Sequence, residues 1–205
     1  MANANKYGLR WVKPIQGTSP PKPVACYVAS AYQASPSGIS CDLNIGDPVK
    51  RVSDGTVALI AGTDAPFGVI CGIDPYWNGT RKVFGTLLPG GTTWGTNYDR
   101  ISVVHVIPVA GQIFEAVADD GTSIITLANW IAALGENVNL SINPVAGTTL
   151  ANPKVAIAGH ATTNTLNWRL WSLTGNVDAD VTVINYPLYI SANYAQQPPY
   201  TILGV

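Results

Sequence analysis

The chain has 205 residues, a length that suits one domain or one domain with an arm. Only 11% of the residues are charged, against roughly 25% in ordinary soluble domains, whereas 47% are hydrophobic. The formal net charge is −1 and no run of Lys and Arg exceeds two residues, so we expect no nucleic-acid partner. Weakly charged surfaces of this kind are often covered by partners.

Cysteine usage indicates the compartment in which the chain folds. Cys26, Cys41 and Cys71 are odd in number and form no Cys-x-x-Cys pair, which fits neither a disulfide framework nor a zinc site. We interpret them as reduced thiols in or near a core, in a protein that folds in a reducing cytoplasm. We also expect no secretory signal and no membrane span, because no apolar segment has the required length.

The first segment in chain order, residues 1–23, is predicted to be an extended N-terminal arm. Pro20, Pro21 and Pro23 favour an extended or polyproline-like backbone at its end. Its apolar residues cannot easily form a core of their own. Two interpretations remain open for them: they fold back onto the domain, or they dock on a neighbouring chain, where aromatic residues are enriched. These residues are Tyr7, Leu9, Trp11, Val12 and Ile15.

Residues 24–205 are predicted to form a single β-rich domain. Most segments are rich in Val, Ile, Thr, Tyr or Trp and are bounded by Gly, Pro, Asn or Asp, which indicates short strands. The fold class is therefore all-β, a compact β-barrel or β-sandwich with one short helix. The predicted strands cover residues 24–32, 56–61, 67–73, 81–88, 100–109, 112–118, 154–162, 165–173 and 180–192.

The aspartates of the segment 43–73 are predicted to be turn residues. Gly46-Asp47-Pro48 begins a strand, Asp54-Gly55 closes a tight hairpin, and Asp64 precedes the next strand. Within 165–173, alternation predicts that Trp168, Leu170 and Ser172 face one way and that Arg169, Trp171 and Leu173 face the other. Since both faces then carry a tryptophan, both faces are candidates for being covered.

One segment, residues 122–140, has helical periodicity instead. Leu127, Trp130, Ile131 and Leu134 recur at the spacing of one helical face. Thr126 is the expected N-cap, and the glycine at position 135 is expected to end the helix.

Few residues offer catalytic chemistry, and we predict that the chain is not an enzyme and has no cofactor or metal site. His105 lies within a strand and is interpreted as an imidazole with a structural hydrogen-bond partner. His160, at a strand end, is a weak candidate for a general base, since no activated-serine motif accompanies it. Glu115 is expected either to face solvent or to pair with an arginine.

Aromatic residues in the segment 74–100 are candidates for a contact surface. Tyr76 and Trp77 flank a turn, and Trp94 and Tyr98 lie in a glycine-rich loop. These four residues suit stacking on a sugar, so a carbohydrate-binding β-sandwich module is the alternative function. They suit equally well the covering of one end of a barrel, or contact with another chain.

An ordered set of small motifs gives a more specific indication. It consists of "LNIGDPVKRVSDGTVALIAGTDAPFGVICGI", a proline-glycine loop, "RISVVHVIPVAGQIFEAVADDG" and "GENVNLSINP". In this order the motifs resemble the head decoration (capsid cement) proteins of tailed bacteriophages, over roughly residues 40–195. The loop 74–100 and the proline-rich arm match this family least.

The resemblance implies a non-enzymatic structural virion protein. Such a protein binds the outer surface of the assembled head, often as a homotrimer at local three-fold positions, and ties major capsid subunits together. The partners it implies are the major capsid protein and further copies of the chain, without nucleic acid or membrane. We expect the interface to lie on the arm and the loop, at Tyr7, Leu9, Arg10, Trp11, Ile15, Tyr76, Trp77, Trp94 and Tyr98.

Overall fold

The computed structural model describes residues 8–15, 20–28, 43–60, 64–77, 81–88, 102–118, 126–142, 155–162, 165–175 and 186–193. Within these ranges strands predominate, most pairings are antiparallel, and there is one short helix. The prediction of an all-β fold is confirmed. No helix in these ranges is long and apolar enough to cross a membrane.

We number the elements in chain order. The strands are β1 (Arg10–Pro14), β2 (Val24–Tyr27), β3 (Leu43–Asn44), β4 (Pro48–Arg51), β5 (Val57–Leu59), β6 (Gly68–Ile73), β7 (Tyr76–Trp77), β8 (Lys82–Val83), β9 (Leu87–Leu88), β10 (Val103–Pro108), β11 (Gln112–Ala118), β12 (Asn137–Ile142), β13 (Val155–Ala161), β14 (Trp168–Leu173) and β15 (Pro187–Ala192). The helix is α1 (Leu127–Ala132).

The larger sheet has six strands in the order β1-β11-β13-β12-β14-β15. Strand β11 also pairs with β15, so it has three partner strands. Its first half pairs with β1 and its last two residues pair with β13 in parallel orientation. Strand β1 therefore lies at the edge of this sheet.

The smaller sheet has five strands in the order β2-β10-β6-β4-β5. Strands β4 and β5 form the hairpin predicted from Asp54-Gly55. Gly55 has φ +84°, and Asp54 Oδ1 accepts hydrogen bonds from the backbone N and from Oγ1 of Thr56. These hydrogen bonds lower the pKa of the Asp54 carboxyl. A parallel bridge between Val28 and Val57 links the two outer strands.

Each sheet has its own hydrophobic core, and the two cores meet at β6. The core of the larger sheet contains Phe114 and Trp168, whose rings pack edge to face with centroids 6.1 Å apart. Val69 belongs to this core, whereas the next residue, Ile70, belongs to the core of the smaller sheet. Successive strand residues face opposite sides, so β6 contributes to both cores.

The short helix begins as predicted, but it ends earlier than predicted, at Ala132 with Ala133 as its C-cap. Thr126 has extended backbone dihedrals, and its side chain accepts a hydrogen bond from the backbone N of Asn129. Gly135, after the helix, has φ +85°. The residues predicted to share one helical face differ in burial. Trp130 is buried, but Leu127, Ile131 and Leu134 are exposed, because the helix packs through Trp130 and Ala133.

The N-terminal segment docks on its own domain over residues 9–15. Leu9 is buried in the core of the larger sheet, and its backbone N donates to Gly46 O at 2.8 Å. Gly46 has φ +98°, and a Cβ there would lie 2.7 Å from Gly8 Cα. The Gly46-Asp47 turn is thus the point where this segment meets the domain.

A β-bulge in β14 changes one detail of the predicted alternation. Trp168 and Leu170 are buried and Trp171 is 43% exposed, in agreement with the pattern. The pairing with β15 shifts between Leu170 and Ser172, so Trp171 is the extra residue. The prediction that Leu173 faces the same way as Trp171 is wrong, since Leu173 packs against the core of the larger sheet.

Candidate binding surface

Large apolar side chains are exposed at several positions on this weakly charged chain. Those in the described residues are Val24, Tyr27, Ile45, Phe84, Leu127, Ile131, Leu134 and Trp171. Phe84, between β8 and β9, is the most exposed at 78%. Exposed apolar residues that occur together mark contact sites more often than residues that occur singly, so their grouping decides which of them matter.

Four of these residues form what we call the helix patch: Leu127, Ile131, Leu134 and Trp171. The first three recur at i, i+4 and i+7 and so lie on one side of α1 and the turn after it. Backbone hydrogen bonds bring this turn to β14, because Gly135 N donates to Leu170 O at 3.0 Å and Leu170 N donates to Glu136 O at 2.9 Å. Trp171 directly follows Leu170 in the chain, so it lies near this turn.

The helical side of the patch is uncharged in sequence, whereas the exposed Arg169 borders the patch and donates from Nε to Gly135 O at 3.0 Å. Residues 121–135 contain no Asp, Glu, Lys, Arg or His. A solvent-facing helix ordinarily carries charged residues on its outer side. The patch therefore combines two features of interface centres, depletion of charge and exposed Leu, Ile and Trp side chains.

The predicted interface residues of the arm are distributed between core and surface. Leu9 is buried within its own chain. Trp11 and Ile15 are half-buried, and Trp11 Nε1 donates to Gln112 Oε1 at 2.8 Å. Arg10 is exposed and lies 3.8 Å from a carboxylate oxygen of Glu115, which is the arginine pairing that the sequence left open for Glu115. Tyr7 lies outside the described residues.

The predicted aromatic surface of the segment 74–100 is only partly described. Tyr76 is 9% exposed and belongs to the core of the smaller sheet, so its ring does not present a stacking surface. Trp77 is the second residue of β7, whose two residues pair with β8. Trp94 and Tyr98 lie outside the described residues. Burial of Tyr76 thus excludes one of the four aromatic residues that were candidates for stacking on a sugar.

Both histidines contact a carboxylate. His105 Nε2 lies 2.8 Å from Asp74 Oδ1, which confirms its interpretation as an imidazole with a hydrogen-bond partner. His160 Nδ1 contacts Glu136 Oε2, and this pair joins β13 to the residue before β12. Within the described ranges no three His, Cys, Asp or Glu residues are grouped so as to hold a metal ion.

Two of the three thiols are in or near the core of the smaller sheet. Cys26 is buried on β2, and Cys71 is half-buried on β6 with Sγ 3.3 Å from His105 O. Burial raises the pKa of both thiols above the usual 9.0. Both are free, as predicted, and their surroundings make them poor nucleophiles. Cys41 lies outside the described residues.

The spacing of Leu127, Ile131 and Leu134 predicts that they share one helical face, but it does not show whether that face is buried or exposed, so it does not reveal the helix patch. The signal that distinguishes a buried from an exposed face is the uncharged run 121–135, which leaves the solvent side of the helix without charged residues.

Comparisons of the chain with protein-family models, with curated proteins and with solved structures find no match.

Proposed function

We propose that this chain is a decoration protein that binds the outside of an assembled phage head and stabilises the lattice of major capsid subunits. The observation that carries the proposal is the helix patch, an apolar surface whose helical part has no charged residue, on a chain with few charges. The motif resemblance supplies the identity of the partner, and it suggests three copies at a local three-fold position.

The mechanism is differential affinity. A protein that binds the expanded lattice, but not free or immature subunits, stabilises the expanded lattice in proportion to its occupancy. Trp171 and Ile131 are the natural anchors for this contact, because they are 43% and 54% exposed and are free to be buried by a partner. A trimer that contacts several subunits at once adds the effect of multivalency.

Binding to heads provides the test. Expanded phage heads that lack a decoration protein are mixed with the purified protein. We expect saturable binding and an increased melting temperature of the heads. Ile131→Glu places a charge in the helix patch and is expected to weaken binding at least about ten-fold, since a desolvated unpaired charge costs several kcal/mol.

Asn129→Glu is the matched control for this test. Asn129 is exposed on the same helix, and at about 100° per residue its side chain lies on the flank opposite Leu127 and Ile131. This variant is expected to bind heads like the parent. Absence of binding to every head form would contradict the proposed function, whereas equal binding by both variants would contradict the role of the helix patch.

A further inference from the structure

We propose that strand β1 is exchanged between copies of this chain, so that residues 9–15 of one copy pair with β11 of the next. The exchanged contacts are those already present within one chain, so no new interface has to be specified. The inference concerns association of identical copies. It does not depend on the proposed function.

The contacts of β1 are all with the body of the domain. Leu9 N donates to Gly46 O, and Ile15 N donates to Gly111 O, both at 2.8 Å. Between these two ends, β1 pairs with β11 and the side chain of Trp11 bonds Gln112. Because these partners are distant in sequence, the same site accepts a β1 strand from its own chain or from another copy.

The connection between β1 and β2 suits a strand that reaches another copy. The two strands belong to different sheets and are separated by residues 15–23, which include Pro20, Pro21 and Pro23. Pro20 and Pro23 are exposed. Proline-rich segments are semi-rigid and extended, so the prolines of this connection favour delivery of β1 to another copy.

The outer edge of β1 is poorly suited to receive a further strand. Lys13 is exposed, Pro14 lacks a backbone N–H, and the pairing register with β11 shifts between Trp11 and Lys13. Charge, proline and bulges at an edge each oppose addition of another strand. Backbone pairing between copies therefore proceeds by replacement of β1, and not by extension of the sheet beyond it.

The pair Arg10 and Glu115 allows a direct test. They are Cα partners in the antiparallel β1–β11 register and both side chains reach the surface. Partners of this kind lie within the Cα separation that a disulfide requires. The double variant Arg10→Cys/Glu115→Cys is refolded from denaturant at increasing protein concentration, oxidised and separated under non-reducing conditions, with the parent chain as the control for its native cysteines.

Exchange predicts covalent oligomers whose yield rises with protein concentration. A chain without exchange yields only monomers with an internal disulfide. In a second experiment, Arg10→Cys and Glu115→Cys chains are refolded together and oxidised. We expect roughly ten-fold more disulfide-linked heterodimer than from Arg10→Cys with Lys82→Cys, because exchange raises the effective concentration of the paired thiols.

Lys82 is a suitable control position because it is exposed on β8, which pairs with β7 and not with β1. Circular dichroism confirms that each variant has refolded before oxidation. The proposal is overturned if the double variant remains monomeric at every concentration, or if heterodimer yields equal those of the Lys82→Cys control.

Discussion

Gly46 shows how a single residue joins the N-terminal segment to the domain. Its φ of +98° lies in the region that L-residues rarely adopt, and Gly8 approaches it so closely that no side chain fits. Its carbonyl accepts the hydrogen bond from Leu9 N, and its own N donates to Ile70 O. Residue 46 therefore combines a conformational requirement with a steric one.

The two requirements can be separated by comparing two glycines. Gly55 also has a positive φ, of +84°, but nothing lies within 4 Å of the position of a Cβ there. We expect Gly55→Ala to lower the free energy of unfolding by about 1–2 kcal/mol from backbone strain alone. Gly46→Ala is expected to lower it by more, as measured by urea denaturation.

A chain that lacks residues 1–9 provides the control, because its Gly46→Ala variant no longer meets Gly8. There the effect of Gly46→Ala is expected to fall to that of Gly55→Ala. Equal effects of the two substitutions in the full chain would mean that the close approach of Gly8 does not contribute to stability.

The elements differ in how much of their structure the sequence predicts. Thr126 begins α1 through local chemistry, and Asp54-Gly55 closes the β4–β5 hairpin in the same way. The pairing of β1 with β11 joins residues about a hundred positions apart, and no local pattern encodes it. The two-residue strands β3 and β7 are too short to show periodicity.

The helix patch illustrates a related difficulty. Helical spacing shows which residues share a side, but the neighbouring strands determine which side is buried. Here Trp130 and Ala133 pack on the core, so Leu127 and Ile131 remain at the surface. The candidate binding surface was therefore predictable only in part, from the absence of charges in 121–135.

Substitutions in α1 should reflect this arrangement in the isolated protein. Ile131→Glu removes an exposed side chain, so we expect the free energy of unfolding to change by no more than about 0.5 kcal/mol. Trp130→Ala leaves a cavity in the core and is expected to cost about 3–5 kcal/mol. Thermal and urea denaturation measure both, and a large destabilisation by Ile131→Glu would place Ile131 in the core.

At the scale of the whole molecule, two cores share strand β6. The thiols of Cys26 and Cys71 lie in or near the core of the smaller sheet, so their titration is sensitive to the folding of that core. The raised pKa values of Cys26 and Cys71 mean that the folded state retains thiol protons that the unfolded state loses. This contribution to stability is complete below the unfolded-state pKa, near 9.0. It is lost as the pH rises through the higher folded-state values.

We therefore expect the free energy of unfolding to decrease as the pH is raised above 9, and to decrease less in a Cys26→Ala/Cys71→Ala variant. Urea denaturation at pH 7, 9 and 10 measures the free energy of unfolding of both chains. The difference between the two chains isolates the thiols, because lysines and tyrosines contribute equally to both. Identical pH dependence of the two chains would contradict a role for the buried thiols. Slow alkylation of both thiols in the folded chain at pH 8 is the companion observation.

Strand β11 has a consequence for the order in which the chain acquires its structure. Its partners come from both ends of the sequence, β1 at residues 10–14 and β15 at residues 187–192. Contacts between such distant segments make folding slow, since a long loop must close, at a cost in chain entropy, before the strands can pair. During synthesis, the larger sheet remains incomplete until β15 has left the ribosome, and until then the edge of β11 that receives β15 is open to other chains.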